Sequence, residues 1–116
     1  MDIFDHEKLD VYQVSIDFVI LADGIVENLP RGRAYLADQL QRAATSVLLN
    51  IAEGGGEYSG NEKGRFYRMA KRSATECAGV LDICLRLRLI DKAQYEGGRC
   101  ALLRIVGMLT KLAKNA

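Results

Sequence analysis

The stretch Gln39-Leu40-Gln41-Arg42-Ala43-Ala44-Thr45-Ser46-Val47-Leu48-Leu49-Asn50-Ile51-Ala52-Glu53-Gly54 carries two interleaved periodicities, and reading both decides the fold. Together with Leu36, the residues Leu40, Ala43, Val47 and Ile51 recur at steps of three or four, which makes one apolar stripe on a helix. Gln39, Arg42, Ser46, Asn50 and Glu53 repeat at the same spacing and set a polar row along the edge of that stripe. Polar groups at such a border meet a neighbouring helix. Arg65, Arg72 and Glu76 of the following segment are the candidates to meet them, lying within about 40° of one another at roughly 100° per residue.

Working outward, Val11, Val14, Phe18, Leu21 and Ile25 form the seam of an earlier helix over about 8–28. Ile16, Val19, Ile20 and Val26 make that helix apolar on a second side, as in a helix that touches more than one neighbour. Leu29-Pro30 ends it, because the residue before proline avoids helical angles. The second helix is expected over about 33–53, stopped by Gly54-Gly55-Gly56 at about 1 kcal/mol per glycine. Ser59 and Glu62 have the spacing of a capping box for a third helix over about 60–88. Its apolar side is Phe66, Ala70, Ser73 or Ala74, Cys77, Leu81, Cys84 and Leu85. Asp91, with Gln94 three residues on, caps a fourth helix over about 91–113 through Tyr95, Leu102, Ile105, Leu109 and Leu112. Gly97, Gly98 and Gly107 inside it read as sites of close backbone packing. Four long helices on short connections in a single domain spanning 1–116 predict an all-α, antiparallel up-down-up-down four-helix bundle.

The formal net charge of +1 names no polyanionic partner, but its distribution is uneven. Asp2, Asp5, Glu7, Asp10, Asp17, Asp23 and Glu27 face a single base, Lys8, in the first thirty residues, and the remainder of the chain is basic. Such a chain is able to pair with itself electrostatically or to present one basic face. Cys77 and Cys84, seven apart on the apolar side of the third helix, read as reduced core thiols, and Cys100 leaves the number odd. His6, the only histidine, lies in a terminus expected to fray, so no metal site is expected. The acidic start is the opposite of a signal peptide's basic one. Phe18 to Ala22 is far short of the ~20 apolar residues of a membrane span. The expectation is a cytoplasmic protein with no membrane contact.

Arg65, Arg68, Arg72 and Arg86 fall within roughly a 60° arc on the third helix, flanked by Lys71. A solvated outer face is one reading of that arc. The other is phosphate-backbone binding, in which successive cations on one helix meet successive phosphates without sequence choice. Asn50, Glu53, Ser73 and Glu76 are the polar residues near expected helix contacts. Their plainest reading is an interhelical network that includes Arg42, pairing Arg42 with Glu76 or Arg65 with Glu53; contact with a ligand or partner is the alternative. Gly54-Gly55-Gly56 lacks the frame of a phosphate-binding loop, since Lys63 precedes Gly64 and no strand comes first. No nucleophile with its base, paired carboxylates in a cleft or metal-ligand set is legible, so no enzyme and no cofactor is expected.

Asn50-Ile51-Ala52-Glu53-Gly54 closing one helix, with Arg65-Phe66, Ala70, Ser73 and Glu76 early in the next, resembles the bacterial four-helix-bundle family of proteins encoded in 23S rRNA intervening sequences, often labelled ribosomal-protein-like. The pattern is also similar to the accessory variability proteins of diversity-generating retroelements. Leu48 stands where the family usually has proline, leaving a kink in the second helix without its cause, and Arg72 stands where it often has glycine, adding a charge. The resemblance implies a homo-oligomer, a ring-like homopentamer, serving as an RNA- or DNA-associated accessory or scaffold protein. Phosphate would then be met by Arg65, Arg68, Lys71, Arg72 and Arg86. The alternative it implies is a protein-interaction subunit, docking for instance on a reverse transcriptase.

Overall fold

The computed structural model describes residues 2–116. A short 3-10 turn, Asp5–Lys8, leads into four helices: α1 (Asp10–Glu27), α2 (Ala34–Gly56), α3 (Gly60–Arg86) and α4 (Lys92–Lys114). Each helix packs against the next, and α4 closes back on α1, while α1 and α3 stand on opposite corners. No strand occurs among the described residues. The architecture is the expected all-α four-helix bundle.

The core follows the two stripes read from the sequence. Leu36, Leu40, Ala43, Val47 and Ile51 of α2 are buried, as are Val11, Val14, Phe18 and Ile25 of α1. Leu21 of the α1 seam is half-buried and packs against the core. On α3 the buried row is Gly64, Tyr67, Ala70, Ala74, Cys77, Leu81 and Cys84, with Phe66 only half-buried. Tyr67 takes the core position expected of Phe66 because Gly54 leaves room for its ring: a Cβ on Gly54 would lie 2.6 Å from Tyr67 Cε1.

The same fit corrects the end of the second helix. The glycine triplet is helical, so α2 runs to Gly56 rather than stopping at Glu53. Tertiary contact offsets its low propensity. Tyr67 covers Gly54, His6 packs on Gly55, and Lys63 Nζ donates to the carbonyls of Gly54 and Gly55 at 3.0 and 3.2 Å. A cation on the last carbonyls satisfies acceptors that the helix itself leaves open, and it complements the negative end of the helix dipole.

The terminus expected to fray is docked instead. The His6 ring sits edge-on to Tyr12 at 4.6 Å and stacks with Phe4 at 5.7 Å, and the 3-10 turn lies against α2. That turn is the reason α1 begins at Asp10 rather than near residue 8. At α3, the capping box is half formed: Ser59 Oγ accepts from Glu62 N at 3.5 Å, but the Glu62 side chain is turned to Arg65. Asp91 and Gln94 do form both bonds, at 2.7 and 3.0 Å. α3 ends at Arg86 in a Schellman motif, with Leu89 N bonded to Cys84 O at 2.8 Å and Arg88 N to Leu85 O at 3.0 Å. Arg88, at φ 61°, occupies the left-handed position usually given to glycine.

Of the α4 glycines, Gly98 is the close-packing one, with Leu81, Leu21 and Phe18 around the position of its absent Cβ. Gly97 is touched only by Leu21, and Gly107 opens to solvent, so neither is the close-packing site its composition suggested. The second apolar side of α1 is covered in part. Ile16, Val19 and Val26 are half-buried, and Ile20 is 65% exposed.

Candidate functional site

The sequence-predicted site residues fall into two groups on α2 and α3. Where these helices meet, Ser46 Oγ and Ser73 Oγ share a hydrogen bond of 2.8 Å, and Asn50 Nδ2 donates to Ser46 O at 2.9 Å and Ser46 Oγ at 3.1 Å. This is a small, partly buried polar clasp. It contains Asn50 and Ser73 but not the charged residues expected beside them. Arg42 turns along its own helix to Asp38 at 3.5 Å rather than to Glu76, and Arg65 pairs with Glu62 at 2.9 Å rather than with Glu53. Glu53 and Glu76 are exposed. Partners one turn away on the same helix are reached without ordering a second element, which explains why the local pairs prevail over the interhelical ones.

The outer face of α3 sorts the five cations. Arg65 is committed twice, to Glu62 and over the Phe66 ring at 4.6 Å. Its guanidinium hydrogen bonds hold the Glu62 carboxyl below its ordinary ionisation range, and Glu62 raises Arg65 in return. Arg68, Lys71 and Arg72, with Thr75, line a shallow depression of about 410 Å³, and none of the three has a carboxylate partner among the described residues. Arg68 and Arg72 are exposed and Lys71 is half-buried. Arg86 stands apart, at the far end of the helix. From Arg68 to Arg86 is five turns at the same azimuth, about 27 Å.

Arg86 has company that sequence reasoning missed. It lines a groove of about 590 Å³ between the end of α3 and the start of α4, with Arg99 across from it. Beside them the Tyr95 hydroxyl donates to Asp82 Oδ1 at 2.7 Å. Acceptance by that carboxylate, with partial burial, pushes the ionisation of Tyr95 upward, and the Arg99 guanidinium opposes it. The signal in the sequence was the four-residue spacing of Tyr95 and Arg99 just after a short turn. It becomes legible only once α3 and α4 are placed side by side.

Elsewhere the chemistry is quiet. Cys77 is fully buried, and desolvation pushes its thiol from 9.0 up to about 12; Cys84 is raised for the same reason. Among the described residues no group of three or more His, Cys, Asp or Glu is placed to hold a metal ion. Nor is any of their helices long and apolar enough to cross a membrane.

No functionally curated protein matches the sequence. Among solved structures, the chain is similar to a protein of unknown function from the S23 ribosomal protein family of Bacteroides thetaiotaomicron VPI-5482, with a TM-score of 0.83 at 23% identity over 90% of this chain and 95% of that one. At that identity the likeness speaks for the bundle alone. The model of the 23S rRNA-intervening sequence protein family matches residues 7–111, nearly the whole bundle from the 3-10 turn into the last turns of α4, and the chain belongs to that family.

Proposed function

We propose that this protein is a non-enzymatic, homo-oligomeric bundle that binds the backbone of RNA or DNA through α3 and acts as a cytoplasmic accessory or scaffold protein. The observation that carries this reading is the triplet Arg68, Lys71 and Arg72: three cations within about one turn of each other, Arg68 and Arg72 exposed and Lys71 half-buried, none paired with a carboxylate among the described residues. Charges left free on one helical face gain most from a polyanion, whose condensed counterions are released on contact. Arg65 and Arg86 flank the triplet and extend the contact, Arg65 at the cost of its bond to Glu62. The family name, which refers to 23S rRNA, points to the same class of partner.

Self-association into a ring, a pentamer, would set several such faces side by side and raise a weak contact by avidity. Apolar side chains left on the outer faces support association: Ile20 of α1 at 65% exposure and Leu103 of α4 at 61%. The same residues favour a second reading, a subunit that docks on another protein such as a reverse transcriptase and has no nucleic-acid affinity of its own.

The deciding experiment is a binding curve to structured RNA and to duplex DNA at two salt concentrations. Affinity falling steeply with salt, and lost when Arg65, Arg68 and Arg72 are changed to Glu, supports the first reading. Affinity unchanged in that variant overturns it. Absence of binding, together with co-purification of one protein partner, establishes the second.

A further inference from the structure

We infer that the groove between α3 and α4 takes one unpaired nucleotide of a strand lying along α3, so that the protein prefers single-stranded or looped nucleic acid over duplex. This rests on the phosphate-binding reading of Arg68, Lys71 and Arg72 and extends it to a defined class of ligand. Three features of the face carry it.

The first is continuity. Arg68, Arg72, Gly79 and Arg86 share one side of α3, and a Cβ at Gly79 would meet nothing within 4 Å. Between the cationic triplet and the groove, Gly79 leaves a gap in the outward row, flanked by the exposed Thr75, Glu76 and Asp82, where a backbone can lie close. The span of about 27 Å is long enough for several nucleotides of an extended strand.

The second is the way the groove divides its polarity. Arg86 and Arg99 stand on its walls with no carboxylate partner among the described residues, while Ile83, Leu85 and Leu87 supply apolar surface. Ile83 and Leu87 are 44% and 43% exposed, open to a flat apolar ligand. Guanidinium planes stack on base faces as aromatic rings do, and apolar side chains pack against a base as pocket walls.

The third is Asp82. Its carboxylate, held by the Tyr95 hydroxyl at 2.7 Å, lies among these groups and repels a phosphate from the interior. A phosphate is then steered to the arginines, and the group that enters is a base. A paired base cannot enter, because it is stacked within its duplex.

The test is fluorescence anisotropy of the full chain with a single strand of about twelve nucleotides and with its duplex. The single strand is expected to bind tighter by about tenfold, within the range of one stacked base. Changing Arg86 and Arg99 together to Ala should weaken the single strand about tenfold more than the duplex, which loses only the Arg86 phosphate contact. Both side chains are exposed, so the variant keeps the bundle, which circular dichroism checks. Gly79→Glu, at a position with room for a side chain, should weaken the single strand by a similar factor. Equal affinity for strand and duplex, or an equal loss of both in the Arg86 and Arg99 variant, overturns the groove. The phosphate reading survives that result if Arg68→Glu with Arg72→Glu abolishes binding of either probe. No binding of either probe by the unaltered protein overturns both.

Discussion

Three residues show how far local chemistry sets this protein's stability. Gly54 has no Cβ because the Tyr67 ring occupies that space, with Cε1 at 2.6 Å and Cδ1 at 2.9 Å from where a Cβ would stand. Gly54→Ala improves helix propensity yet is expected to destabilise the fold by about 1–3 kcal/mol, since overpacking a buried ring outweighs the propensity gain. Thermal or urea unfolding measures it. Arg88 presents the reverse case. It holds φ 61° in a turn whose geometry asks for glycine, so Arg88→Gly should stabilise by about 0.5–1 kcal/mol in the same assay. Cys77 makes stability depend on alkaline pH. Its thiol ionises near 9.0 when exposed and near about 12 when buried, so the unfolded chain holds fewer protons between those values and stability falls as pH rises through that window. Urea midpoints should fall from pH 9 toward pH 11 more steeply in the parent than in Cys77→Ala. An alkylating reagent at pH 8 should modify the exposed Cys100 and spare Cys77 and Cys84.

At the scale of elements, the end of α2 is built by its neighbours. Lys63 of α3 ties down the carbonyls of Gly54 and Gly55, and the 3-10 turn closes over Gly55, where His6 Cβ and Cα would stand 2.7 and 2.9 Å from an added Cβ. Lys63→Met keeps the aliphatic stem and removes the donor, with an expected cost of about 1 kcal/mol and faster hydrogen exchange in the last turn of α2. Gly55→Ala should act on a different element. It displaces the 3-10 turn while leaving the bundle core, so limited proteolysis ahead of Asp10 should accelerate with little change in the unfolding midpoint. Residue 48 is leucine within an α2 unbroken from Ala34 to Gly56, as expected where nothing interrupts the hydrogen-bond ladder.

For the molecule as a whole, the charge asymmetry read from the sequence becomes a spatial one. α1 carries Asp10, Asp17, Asp23 and Glu27 and no base, and it stands on the corner opposite the arginines of α3. On the proposed function, a polyanion would be attracted from the α3 side and repelled from the α1 side, which would orient the molecule before contact. Changing Asp17 and Asp23 to Asn should raise nucleic-acid affinity modestly at low salt, with the difference vanishing as the Debye length drops below the width of the bundle. Sedimentation of the unaltered protein measures its oligomeric state. A monomer would remove the avidity from the proposed function without touching the α3 face itself.

The sequence by itself determined the four helices and their buried stripes, because three-and-four spacing marks the main face each helix must cover and short connections leave adjacent neighbours to cover it. It also placed the cations of α3 on one arc, since azimuth depends on residue number alone. What a side chain bonds to is not a function of azimuth, so Arg65 went to Glu62, Arg42 to Asp38, and the polar clasp closed through Ser46 and Ser73 without Glu53 or Glu76. Only the tertiary structure made the glycine triplet helical, docked His6, and brought Arg99 beside Arg86, because each of these depends on atoms that are distant in the chain and meet only after the helices have packed.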